Sequence, residues 1–407
     1  MTRTPLALLL FLFIALAGIG FTGCGGGDDD PGTTVADSVD ANGDPVEIPS
    51  DDDDEGVAGE SGGADDADIP DLDFEIDDLD ATSVEVEPGS YKFRLKVKEG
   101  DTYGYRMIRT QTLESGVLAT KQKQTYDVTM KVLERKQNGA ILLGVTYDRV
   151  RAEITAPQFQ ADSTGRAPLL DSTGQPIIEN KTVRFDTRNK TRVPGAEQFR
   201  AYIGKQVVVA TDRVGQVIGV ENVDPIYKAM LSHLKVNPDT VDAKLLDMTK
   251  QGIGVEISLL VQQIFFTNVP REPVEEGEDW TLSDTVEVGK RREVTSIVYR
   301  LASVSTGGDE PSATIKAQLK SAPRVPKEPM EVNGISVKVK NLRVSGNGTS
   351  TLSLVTGFPV KRSSTISSKL TGTGTATEGP RAGESEPITR TESTRTSVTR
   401  TSYKAGS

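Results

Sequence analysis

Residues 125–154 read TYDVTMKVLERKQNGAILLGVTYDRVRAEI, and this stretch decides the fold. Val128, Met130 and Val132 alternate with Thr129 and Lys131, the period of two that gives a half-buried strand one apolar face. Asn138-Gly139 interrupts the pattern. Both residue types tolerate the positive φ of a tight turn, so the chain reverses there and a second strand follows. This is a β-hairpin with long arms.

The same alternation extends outward in both directions. SVEVE and YKFRLKVK precede it, the latter with Tyr91, Phe93, Leu95 and Val97 on one face. EGDTYGYRMIRTQTL follows a turn at Gly100-Asp101, and KQVVVATDRVGQVIGV is a further hairpin turning near Arg213 to Gly215. Residues 157–195, rich in Gly, Pro and Ser, read as a long loop holding one strand, TVRFDT. After NVPREPVEEGEDW the strands resume: REVTSIVYRLASV, SATIKAQL, residues 335–376, and PITRTESTRTSVTRTSYK. The last is a Thr/Arg ladder with few apolar residues, the pattern of an exposed edge strand that avoids aggregation through charge.

One region departs from the strand period. At 225–266 the sequence predicts a short helical insertion. Asp224 caps a first helix with Pro225 at its first position, and Ile226, Met230 and Leu234 share a face. Asp239 or Thr240 caps a second, which Gly252 and Gly254 end; Val241, Leu245 and Met248 share its face. VEISLLVQQIFF (255–266) is apolar without a clean period and fits a buried helix or a buried strand. The fold class is therefore mainly β, a β-rich α+β chain of long antiparallel strands. We divide its body into lobes at 81–270 and 271–407. EGDTYGY at 99–105 echoes EGEDWTL at 276–282. That echo reads either as duplication of a lobe or as the ordinary likeness of one β-meander to another.

The chain has 407 residues and a formal charge of −12. Residues 25–80 carry 22 Asp and Glu and no Lys or Arg, while residues 81–407 carry 46 basic and 37 acidic residues. The acidity thus belongs to one segment, which has the composition of a disordered, self-repelling tether at 24–80. Its contour limit is on the order of 190 Å. Asp40 to Asp44 (DANGD) has some of the letters of a calcium loop but not the EF-hand order, so the tether reads as a spacer. One His and one Cys leave no Cys/His metal cluster and no disulfide, and we expect no cofactor or metal. The basic residues are not interleaved with aromatics in the manner of a nucleic-acid site.

Residues 1–23 form an export signal: Arg3, then the apolar run LALLLFLFIALAGIG, then small residues up to Cys24. The only cysteine ends this run after Thr22 and Gly23. The arrangement resembles a bacterial lipoprotein signal, in which Cys24 would be lipidated and become the new N-terminus; Phe21 stands where that pattern usually has Leu. Two or more acyl chains hold a protein stably at a membrane. Gly25 rather than Asp follows the cysteine, which under the resemblance implies the outer membrane.

A wider resemblance covers nearly all of residues 91–370. It rests on G-D-x-[YW] opening a strand, the GQVIGV hairpin, the short helical middle, PREPVEEGEDW and the closing GNGTSTLSLVTG. Together these resemble an uncharacterised family of bacterial exported β-rich lipoproteins with a domain of unknown function. The motifs are mostly turn formers, and the family carries no catalytic residue over. In outline the chain is also similar to the LolA-like half-barrels that carry lipids or lipoproteins.

His233, beside Leu234, reads as a satisfied surface or semi-buried histidine, because no G-x-S-x-G elbow accompanies it. Glu275, Glu276, Glu278 and Asp279 cluster as a carboxylate pair for glycoside hydrolysis would, but they lie in a turn, where acidic residues are common. Tyr103 and Trp280 occupy the matched echo positions and read as core anchors. The expectation is a non-enzymatic binding or scaffolding module, attached to the membrane through Cys24 and facing an envelope protein. The alternative is a carrier of lipid or another hydrophobic ligand in a pocket lined by residues 255–266, and a third reading is a hydrolase using 275–279.

Overall fold

The computed structural model describes residues 85–407, apart from 88, 116–117, 161–176, 192, 194–196, 235–242, 266–268, 271, 289–290, 308–309, 321–324, 326–327, 333–334, 378–381 and 407. The export signal, Cys24, the acidic segment and Asp40 to Asp44 lie outside the described residues, as do Asp239, Thr240 and Val241 of the helical insertion.

The chain is mostly antiparallel β. A small sheet joins β1 (Glu85–Glu87), β2 (Ser90–Tyr91) and β9 (Val274–Glu275). The large sheet begins with β3 (Thr102–Ser115), β4 (Leu118–Arg135), β5 (Ile141–Phe159), β6 (Ile178–Asp186), β7 (Gln206–Thr211) and β8 (Val217–Glu221). It continues with β10 (Asp279–Val288), β11 (Arg291–Ser305), β12 (Ser312–Leu319), β13 (Met330–Val332), β14 (Ile335–Ser353), β15 (Pro359–Ala376) and β16 (Ser385–Lys404). The order is β10-β11-β12-β14-β15-β16-β3-β4-β5-β7-β8, with β13 beside β14 and β6 beside β5. A 3-10 turn covers Glu197–Tyr202, and two helices follow, α1 (Asp224–Leu234) and α2 (Ala243–Ile264).

The founding hairpin forms as its sequence dictates. Gly139 takes φ +83 and its N–H donates to the Lys136 carbonyl, while Ala140 N–H donates to Asn138 Oδ1 at 3.0 Å. A bulge pairs Asp127 with Arg149 but Val128 with Tyr147, so Asp148 is the extra residue. The bulge keeps Tyr126 and Val128 in phase with Val150 and Tyr147, all four buried on one face.

That face carries the helices. Tyr103, Tyr105 and Met107 of β3, Val128 and Met130 of β4, Leu143 and Val145 of β5 and Val209 of β7 form one core with Ile253, Ile257, Leu260, Val261 and Ile264 of α2. A second core gathers Tyr299, Leu301, Ala313, Ile315 and Leu352 under Phe93 and Val274. Arg362 of β15 fixes the end of α2: its Nη1 donates to the carbonyls of Gln262, Gln263 and Phe265. The last carbonyls of a helix lack intrahelical partners, and a cation there complements the dipole.

Four expectations need correction. Gly252 and Gly254 do not end the second helix, which runs through both to Ile264. Each glycine costs about 1 kcal/mol in a helix interior, and burial of Ile253, Ile257, Val261 and Ile264 along one face outweighs that cost. Met248 does not share a buried face; it is 59% exposed. YKFRLKVK is a ladder strand only at Ser90–Tyr91. Beyond it the chain stays extended and alternately buried as a strap. Leu95 N–H donates to the Arg213 carbonyl and Lys96 N–H to that of Thr356, and Phe93 enters the second core while Val97 enters the first.

The Thr/Arg ladder is no edge strand either. β16 lies inside the sheet, between β15 and β3. Threonine is β-branched and suits the pleated ladder without needing a deep core. Strands drawn from 81–270 and from 271–407 meet at this one junction in a continuous sheet. β10 begins at Asp279 and takes in Trp280.

Candidate functional site

The sequence-predicted residues are dispersed. His233 is exposed in the last turn of α1. The carboxylates at 275–279 each have a local partner. Glu278 Oε2 accepts the Glu275 N–H at 2.8 Å, and Glu276 Oε2 accepts the Val304 N–H at 3.2 Å. Asp279 takes Arg300 in a two-point pair at 2.5 and 2.9 Å, which holds its carboxyl below the usual carboxylate range. Tyr103 is fully buried and stacks on Phe358 at 3.9 Å and on Tyr403 at 4.9 Å, and Trp280 stacks on Tyr299 at 5.7 Å. Within 255–266, Ile257, Leu260, Val261, Ile264 and Phe265 fill the first core instead of lining a pocket.

A polar cluster that sequence reasoning missed sits on the helix-bearing face. Tyr202, from the 3-10 turn, donates its hydroxyl to Glu256 Oε2 of α2 at 2.7 Å. Tyr147 packs edge-on against Tyr202 at 5.3 Å and against Tyr126 at 6.3 Å. The Glu256 side chain is exposed, yet desolvation by the protein around it pushes its carboxyl above the usual range. The Tyr202 hydroxyl holds this carboxylate against the 3-10 turn. Burial, and next the nearby Glu256 charge, push the hydroxyls of Tyr126, Tyr147 and Tyr202 upward.

The cluster continues across β3 and β16. Burial lowers the Arg109 guanidinium, opposed by Tyr126 and Glu392. Gln111 Nε2 donates to Glu392 Oε1 at 2.9 Å, and Arg390 lies 3.6 Å from the other carboxylate oxygen. Among the described residues, two deeply buried hydroxyls of this cluster, Tyr147 Oη and Thr394 Oγ1, have no hydrogen-bond partner. A buried polar atom without a partner normally marks a place for water or a ligand.

The register sets apolar side chains beside this cluster. Thr394 pairs with Ile366 and Gln111, Glu392 with Ser368 and Leu113, and Arg390 with Leu370. Val344 and Leu342 extend the same rows onto β14, opposite Ser368 and Leu370. Leu113, Leu342, Val344, Ile366 and Leu370 are half-buried and stand outside both cores. The face thus offers hydroxyls, a carboxyl drawn toward its neutral form, a guanidinium and an aliphatic row. These are groups that bind. One faint signal was legible: Glu256 is the lone acid inside an apolar run.

The opposite face is polar. A groove of about 630 Å³ is lined by Arg300, Lys316, Gln318, Lys320, Asn347 and Thr349, and a smaller one of about 310 Å³ by Lys123, Arg151 and Arg184 with their neighbours. Among the described residues no group of three or more His, Cys, Asp or Glu is arranged to hold a metal ion, and no helix is long and apolar enough to cross a membrane.

A family of unknown function (DUF6263) matches residues 175–359. No curated protein matches the chain. A solved structure described as "Lipid-protein interactions in lipovitellin" is similar over 77% of this chain, at 10% identity and a TM-score of 0.40. This chain spans only 26% of that one, and a likeness at that score carries no functional weight.

Proposed function

We propose that the protein is a bacterial envelope lipoprotein, anchored in the outer membrane through Cys24, whose β body is a non-enzymatic binding module carried on the long acidic spacer 24–80. Its ligand surface is the helix-bearing face beyond α2. The observation that carries this reading is the juxtaposition there of the half-buried row Leu342, Val344, Ile366 and Leu370 with Arg109, Glu256, Glu392 and two unpartnered buried hydroxyls. Such a face suits an amphipathic ligand, its apolar part along the aliphatic row and its polar part at the Arg109 cluster. The helix-lined apolar pocket expected of a carrier is replaced by this open, two-character surface, because Ile257, Leu260, Val261, Ile264 and Phe265 are used up in the core.

Native mass spectrometry of the protein purified from its own host tests the proposal. We expect a reproducible mass surplus that leaves on solvent extraction and is lost in Ile366→Asp with an unchanged melting curve. A bare polypeptide mass from the wild type would overturn it. Anchoring is read separately, since Cys24→Ser should abolish acyl labelling and leave the body's fold unchanged.

A further inference from the structure

The face opposite the helices has a charge distribution that the binding reading above does not use. Exposure alternates along the middle of β14, and the exposed residues of this face include Arg343, Ser345 and Asn347 of β14, Lys361 and Lys369 of β15, and Arg395 and Thr399 of β16. The register carries this face onto β12, where Lys316 lies opposite Thr349, and onto β4, where Lys121 and Lys123 lie opposite Thr112 and Thr110. Ser345, Ser367, Ser393 and Thr112 make a hydroxyl row among these cations.

The cations divide into two groups. Toward β5 and β6 they are neutralised: Arg106 pairs with Asp127 at 2.6 Å, Arg151 with the same carboxylate at 3.4 Å, and Arg149 with Asp186. Arg300 is paired with Asp279 at the other margin. Between them, Lys316, Arg343, Lys361, Lys369, Arg395, Lys121 and Lys123 form no ion pair among the described residues. Glu114 is the acid that this middle zone contains.

The pattern is two-dimensional. Neighbouring strands are about 4.8 Å apart and alternate residues on a strand about 6.8 Å apart. Arg343 and Lys369 are cross-strand partners, Lys361 lies eight residues along β15 from Lys369, and Arg395 lies on the next strand between those two rows. A linear polyanion engages a line of cations. Charges scattered over several strands, on a background of short hydroxyl side chains, fit an extended anionic plane.

We propose that this face docks on the anionic headgroups of a lipid bilayer, so that the body lies against a membrane while its helix-bearing face stays open. Each Lys or Arg near such a surface contributes about fivefold to partitioning, so the zone needs no pocket. The attraction falls off within a Debye length, about 10 Å at 0.1 M salt, which requires close apposition of the face.

The test uses the mature chain from residue 24, with Cys24→Ser so that no acyl group contributes. Its partitioning is measured onto phosphatidylcholine vesicles with and without about 30% phosphatidylglycerol. We expect binding only to the anionic vesicles, its release at about 0.5 M salt, and at least a hundredfold loss in the triple variant Lys361→Glu, Lys369→Glu, Arg395→Glu. A second triple, Lys98→Glu, Lys205→Glu, Lys228→Glu, makes the same change of net charge at exposed sites off this face and should stay within about fivefold of wild type. Equal loss in both triples would reduce the effect to net charge and overturn the proposal, as would failure of the wild type to bind. Binding to soluble polyphosphate that outcompetes the vesicles would overturn it in favour of a free polyanion. Should the Glu triple lose its circular-dichroism melt, Lys361→Gln, Lys369→Gln, Arg395→Gln gives the same readout without introducing like-charge contacts on the acidic side.

Discussion

Two regions of one sheet are held together differently. In β3, β4, β5 and β7 the helix-bearing face is built of Tyr103, Tyr105, Met130, Leu143 and Val145, each at most 1% exposed, under the apolar side of α2. In β14, β15 and β16 the same face carries Ser364, Ile366, Ser368, Leu370 and Thr396, half-buried. The first region draws its stability from apolar burial, about 25 cal/mol per Å² removed from water. The second relies on long ladders with a neighbour on each side, as in β15 between β14 and β16. A strand that is not asked to fill a core is free to display chemistry, and Arg343, Lys361, Lys369, Arg395 and the unpartnered Thr394 hydroxyl fall in this region.

The largest expected effect breaks the comparison at its hinge. Phe358 stands in the turn between β14 and β15 yet belongs to the first core, stacked on Tyr103 at 3.9 Å and beside Phe265 at 5.0 Å. Phe358→Ala should cost about 3–5 kcal/mol, the range for a fully buried aromatic. Ile366→Ala, in the ladder region of the adjoining strand, should cost less than about 1.5 kcal/mol, because its side chain is only half-buried. Urea unfolding of the two variants settles the matter. Equal costs would mean that the ladder region has a packed core of its own.

A smaller effect is read by pH. Desolvation raises the Glu256 carboxyl above its ordinary value of 4.5, so the folded chain holds that proton more tightly than the unfolded chain. Between the two values the folded state binds more protons, and stability therefore falls as pH rises through the window. Below 4.5 that stability is fully present, since both states are then protonated and the decline has not begun. Glu256→Gln should flatten this decline in the urea midpoint from pH 4.5 upward while keeping a partner for the Tyr202 hydroxyl. Asp186 works in the opposite sense: its bond to Arg149 lowers its carboxyl, and that support fades as pH falls through the lowered value. An unchanged slope in Glu256→Gln would remove the raised carboxyl from the description of the site.

The strands were legible where side-chain period and turn chemistry agree, as at Asn138-Gly139 and in the Asp212 to Gln216 turn with Gly215 at φ +83. Period alone misled at YKFRLKVK, because alternation reports which side chains are buried and not whether the backbone finds a ladder. It misled again at β16, since a polar Thr/Arg pattern marks a strand with solvated faces but is silent about its edges. Gly252 and Gly254 were read through helix propensity, a term of about 1 kcal/mol that tertiary burial exceeds. The site itself was nearly invisible. Arg109, Glu256 and Glu392 are far apart in sequence, and only the strand order that sets β16 against β3 brings Glu392 to Gln111 and Arg109.

The smallest expected effect sharpens the comparison from the ladder side. Ser367 and Ser393 face each other across β15 and β16 with their oxygens 3.1 Å apart. Cross-strand hydroxyl pairs contribute roughly 0.2–1 kcal/mol. The pair lies on the face that carries Lys369 and Arg395, so removing one hydroxyl leaves the other within reach of water instead of stranded. Ser367→Ala and Ser393→Ala should therefore each cost under about 1 kcal/mol, with a double-mutant coupling in the same range. A coupling above about 2 kcal/mol would be the signature of hydroxyls shielded from solvent. That result would mean the cationic face is already covered in the free protein, and the contrast between a packed region and a displaying region would collapse from its polar end.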